Sequence, residues 1–163
     1  MRLWHKDLIT VLPKQQLLGQ WRECCCIARN IAVNGTPNHR LVNKIMDYPL
    51  DHFYQYTMIV ARELTKRQYN VNWFSFSNHI DTSKLRTLSV DIEIDSNGNR
   101  KETVCGTVYD ELFAGWHNDR YLLQCYHNLE EKYDCGGISK DEWCIVKDKV
   151  HDYFMVKRGV KHG

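Results

Sequence analysis

The chain has 163 residues, of which 43% are hydrophobic and 26% charged, with a formal net charge of +2. That is enough chain for one soluble domain with a core of its own. No apolar run reaches the length of a membrane span, and the opening MRLWHKDLI is too short and too polar for a signal peptide. So small a charge neither announces nor excludes a nucleic-acid binder, because the local distribution decides.

The seven cysteines are an odd set with three adjacent members, a poor disulfide framework. No Cys-x-x-Cys pair is present for zinc, and three consecutive helical cysteines point about 100° apart, so they cannot share a metal. They read as small apolar residues in a reducing cytoplasm, and neither a metal nor a cofactor is expected.

In chain order, residues 1–12 form a short N-terminal arm pinned by Leu8, Ile9, Val11 and Leu12. The spacing then predicts one long amphipathic helix from Pro13 to Gly35. Proline suits its first turn and Asn34-Gly35 is a stop signal. Leu17, Leu18, Trp21, Cys24, Cys25, Ala28, Ile31 and Ala32 recur at three- and four-residue spacing and predict one buried stripe. At about 100° per residue, Glu23 then projects from the far side of that stripe. Gly19 leaves open space one turn before it, and Arg22 and Arg29 fall on the flank. A carboxylate with cations beside it suits an anionic ligand and proton chemistry; on spacing alone, the alternative is a solvated helix face.

Residues 36–38 form a turn, and 39–46 a short helix or irregular basic segment. Pro49 opens a second long helix to about Gln68, with Leu50, Phe53, Tyr54, Val60, Ala61 and Leu64 on one face. Residues 70–83 lack a clear period. Val90, Ile92 and Ile94 alternate with Asp91, Glu93 and Asp95, and Asn97-Gly98 signals a tight turn. These predict a β-hairpin insertion within about 84–109. A third long helix runs from about Asp119 to Tyr133 and ends at Cys135-Gly136-Gly137. Ser139 and Glu142 have capping-box spacing and start a fourth helix to about Val156. A basic tail, 157–163, follows. The expected fold is mainly α: a compact single domain, 1–163, of about four long helices with a hairpin insertion.

The stretch Leu17-Leu18-Gly19-Gln20-Trp21-Arg22-Glu23, with Gln15 upstream, resembles the first helix of the pyrimidine-dimer DNA glycosylases, the family of the phage endonuclease V enzymes. His52 to Val71 resembles that family's second long helix, and Asn128 to Tyr133 part of its last one. The opening MRLWHKDLI is similar to that of uncharacterised bacterial proteins grouped with the family. The matches cover about half the chain in patches; the hairpin has no counterpart in the small phage enzymes.

The resemblance implies a DNA repair enzyme that cuts double-stranded DNA at damaged or abasic sites, with no membrane association, as a monomer. It implies that the N-terminal α-amine attacks C1′, that a Schiff base forms, and that β-elimination cuts the strand. Carried over, Glu23 is the catalytic carboxylate, Arg22 a contact to the damaged strand, and Lys132 a phosphate contact. Arg29 is a further candidate for DNA contact. Residue 2 here is arginine, before which an initiator methionine is not normally trimmed. The amine is therefore assigned to Met1, with Arg2 as a phosphate contact and Lys6 as the second candidate nucleophile. Asn128 stands where the family pattern expects an arginine. The alternative is a DNA-binding module on the same scaffold without the chemistry.

Overall fold

A computed structural model describes residues 2–159. In chain order its elements are α1 (Lys14–Asn34), α2 (Leu50–Lys66), the short α3 (Phe74–Ser77), β1 (Ser89–Ile94), β2 (Arg100–Cys105), α4 (Asp119–Asp134) and α5 (Lys140–Gly159), with 3-10 turns between several of them. The fold is mainly α, with four long helices and one antiparallel hairpin, as the periodicity predicts. No helix among the described residues is long and apolar enough to cross a membrane. The chain divides into two compact units: Trp21–Phe113 together with Arg2, and Leu3–Gln20 together with the chain from Ala114 on.

The first unit is built around α2. From Asp51 to Thr57 every residue is buried, so this part of the helix has no solvent face. That explains why the single apolar stripe expected from the sequence describes only its second half. Phe53, Tyr54 and Tyr56 are fully enclosed, and Phe76 of α3 meets Phe53 edge-on at 5.5 Å. Each such ring contributes about 2–3 kcal/mol by burial.

Asp51, the buried acid in the first turn of α2, is satisfied. The Asp51 carboxylate accepts the backbone N–H groups of Arg86, Thr87 and Leu88 at 2.6–3.0 Å. Burial alone would push its pKa up, but those N–H donors outweigh it and hold the carboxyl below its ordinary value. This bond set anchors the chain immediately before β1. The hairpin register then pairs Val90 with Val104, Ile92 with Glu102 and Ile94 with Arg100. Asp95 closes its turn by accepting from the backbone of Asn97 and Asn99, and Gly98 adopts φ +81. Gly106, at φ +93, has no room for a side chain: a Cβ there would lie 2.7 Å from the carbonyl oxygen of Thr87.

In the second unit a 3-10 turn, Lys6–Val11, buries Leu8 and Ile9 and packs on α5, which also packs on α4. Trp143 of α5 lies between Tyr126 and Tyr133 of α4, stacked at 5.1 and 5.5 Å. The capping box forms: the Glu142 side chain accepts from the Ser139 backbone N–H, and the Ser139 hydroxyl accepts from the Glu142 N–H. α5 runs to Gly159, past the end expected near Val156. Its last turn is held because Lys157 pairs with Asp119, which also accepts from the Tyr153 hydroxyl. Lys157 to Gly159 are therefore helix rather than tail, and residues 160–163 lie outside the described residues.

Candidate active site

α1 starts where the sequence places it. The Pro13 carbonyl accepts from Leu17 N–H, and Gly35, at φ +76, closes the far end onto the Ile31 carbonyl. Its buried line, however, is Leu17, Gln20, Cys24, Ile27 and Ala28. Leu18, Trp21, Cys25 and Ile31 are half-buried, and Ala32 is exposed. The stripe is rotated from the expected one because a glutamine occupies its centre, 1% exposed. A hydrophobicity count passes over that residue.

The rotation moves Glu23. Residues three apart on a helix lie about 60° apart in projection. Glu23 therefore borders the buried line beside Gln20 instead of pointing away from it, and it is half-buried. Its Oε2 accepts the backbone N–H of Arg2 at 2.9 Å. The predicted pair of Glu23 and the N-terminal arm thus meets through the main chain of residue 2. Met1, the expected nucleophile, lies outside the described residues. At Gly19 an added Cβ would meet nothing within 4 Å, so the open space expected there exists.

Arg22 neighbours Glu23 and is exposed. Arg29 is six residues beyond Glu23, about 9 Å along the helix axis. It is exposed and borders a shallow depression of about 410 Å³ with Cys26, Asn30 and Val33. Arg2 is half-buried. Lys132 belongs to the second unit, exposed in the last turn of α4, where its carbonyl accepts from Gly137 N–H. Lys6, also of the second unit, is half-buried, and its N–H donates to His117 Nδ1 at 3.0 Å. The site residues brought into direct contact are therefore Arg2 and Glu23.

Two buried histidines, His52 and His117, accept hydrogen bonds from the main chain. His52 Nδ1 accepts from Phe113 N–H at 2.9 Å, and burial holds its pKa below the ordinary value. His117 accepts from Lys6, stacks on His5 at 5.1 Å, and is held neutral down to a pKa of about 2, chiefly by burial. The three-cysteine run spreads around α1 as expected: Cys24 buried, Cys25 intermediate, Cys26 exposed, none of them in a disulfide. Burial raises the Cys25 thiol to about 11, which makes it a poor nucleophile.

One neighbour of the site was not anticipated. Trp21, two residues before Glu23, stacks on Trp73 at 6.2 Å. The Trp73 indole N–H donates to Glu102 of β2 at 2.7 Å, and the Tyr54 hydroxyl donates to the same oxygen at 3.4 Å. Glu102 is 4% exposed and ion-paired with Arg100 at 2.6 Å. The hairpin therefore reaches α1 through a tryptophan pair. The only sequence signal was an acidic residue in register with Ile92, on the apolar face of the hairpin. Among the described residues no group of three or more His, Cys, Asp or Glu stands placed to hold a metal ion.

Residues 1–75 match the pyrimidine dimer DNA glycosylase family. No curated protein and no solved structure gives a match. At family level the match supports a DNA-repair glycosylase with DNA as its substrate. The matched stretch holds Arg2, Arg22, Glu23 and Arg29, together with α1 and α2, and ends before β1. The hairpin and Lys132 lie outside it.

Proposed function

We propose that the protein is a pyrimidine-dimer DNA glycosylase with abasic-site lyase activity, whose N-terminal α-amine is the nucleophile and whose Glu23 assists. The observation that carries the reading is the hydrogen bond from the Arg2 N–H to Glu23. In this reading the amine is borne by the residue one step up the chain from that amide.

The chemistry follows from ordinary values. An α-amine titrates near 7.7–8.0, against about 10.4 for lysine. A useful fraction is therefore neutral at physiological pH without burial. Its lone pair bonds to C1′, and the glycosidic electron pair leaves with the base. The nitrogen passes one proton through Glu23 to the departing base; its lone pair then opens the ring, O4′ takes up a proton, and a protonated imine is left that can accept the electrons of the next step. Removal of a proton from C2′ expels the 3′ phosphate and cuts the strand. Glu23 stabilises the cationic sugar that develops as the base departs and relays protons around the imine. One Glu23 oxygen accepts from Arg2, which leaves the other for this work. Arg2, Arg22 and Arg29 hold the phosphates, and Lys132 supplies a further contact. The protein acts as a cytoplasmic monomer on double-stranded DNA.

The test is borohydride trapping on UV-irradiated and abasic duplexes. The proposal expects a covalent protein–DNA adduct and a strand cut. Because the amine must be neutral to attack, trapping below pH 7.5 should slow about tenfold per pH unit. Tight binding without an adduct at any pH makes the protein a DNA-binding module instead.

A further inference from the structure

The N-terminal arm is held by side chains rather than by a backbone ladder. Trp4 N–H donates to Gln20 Oε1 at 2.8 Å, and the Tyr121 hydroxyl donates to the Leu3 carbonyl. Gln20 is 1% exposed, so this acceptor is enclosed with the amide it serves. Two residues earlier, Arg2 N–H reaches Glu23, three positions further along the same helix. The two spacings agree. Alternate N–H groups of an extended segment leave on the same side, about 6.6 Å apart. Side chains three apart on a helix are neighbours at about 5–6 Å. Gln20 and Glu23 are thus two rungs of one register between the arm and α1.

We infer that Gln20 is a positioning residue for the reaction: it sets the register that delivers the start of the chain to Glu23. This rests on the reading given under the proposed function. With Glu23 as the sole anchor, the catalytic carboxylate would have to hold the arm and handle protons at once. The second rung relieves it. It also blocks a slip of the arm by two residues, which would carry the nucleophile about 6.6 Å away.

The experiment compares Gln20→Leu, close in size without an acceptor, and Gln20→Glu, which restores one. Single-turnover trapping on saturating abasic duplex, duplex affinity and amide hydrogen exchange at Arg2 and Trp4 are measured together. The expected result for Gln20→Leu is trapping slowed at least tenfold with affinity unchanged. Exchange should be faster at both amides, and Gln20→Glu should recover both effects. Wild-type trapping in Gln20→Leu overturns the inference. So does faster exchange confined to Trp4, or a loss that Gln20→Glu leaves unrepaired. If the wild-type protein forms no adduct, the lyase reading fails. The exchange at Arg2 still decides whether Gln20 sets the arm's register.

Discussion

Glu23 has two demands on one carboxylate, and the right substitution separates them. A glutamine at position 23 keeps an oxygen that can accept the Arg2 N–H but loses the charge and the proton chemistry. Glu23→Gln should therefore keep duplex affinity within about twofold while lowering single-turnover cleavage by about 10²–10⁴-fold. An equal loss in both measurements would give Glu23 a binding role only. Arg22→Ala should do the opposite: it weakens duplex binding and lowers the slope of log affinity against log salt by about one. An unchanged slope removes Arg22 from the contact surface. Glu23 and Arg22 were open to proposal as candidates from the sequence because they stand in an ordered motif. Gln20 was not, because a polar residue in a buried line reads as a gap until its partner, a backbone amide from another segment, is known.

The chain entering the hairpin is tied to α2 by a buried carboxylate, that of Asp51. Replacing Asp51 by Asn puts an amide donor among three backbone donors and removes charge-assisted bonds. Asp51→Asn should cost about 2–3 kcal/mol, read from urea unfolding. The loss should be larger at pH 7 than at pH 3, because the wild-type carboxyl titrates below its ordinary value and its contribution fades as pH drops through that range. A loss below about 0.5 kcal/mol would mean the loop holds itself. The helices were readable from local signals: Pro13 and Gly35 bound α1, and Ser139 with Glu142 starts α5. So was the hairpin, from Val90, Ile92, Ile94 and Asn97-Gly98. What stayed hidden was long-range: the all-round burial of Asp51 to Thr57, the docking of Glu102 on Trp73, and the hold of Asp119 on Lys157.

For the whole molecule, acid is the informative stress. His117 ordinarily titrates near 6.5 and here is held near 2, and burial lowers His5 as well. The unfolded chain takes up protons below pH 6.5 that the folded chain refuses, so stability is full above 6.5 and falls as pH drops toward 2. Between those two values His117 contributes a slope of about 1.4 kcal/mol per pH unit. His117→Asn should flatten the pH dependence of the urea midpoint between pH 6 and 4; an unchanged slope would show that His117 titrates normally. The proposed chemistry depends on one meeting of groups, the α-amine of the chain's first residue and Glu23. The most direct measurement is the site of the borohydride-trapped adduct, found by digestion and peptide mass. The sugar fragment is expected on the α-nitrogen of Met1. An adduct on the side chain of Lys6, or on any other lysine, contradicts it.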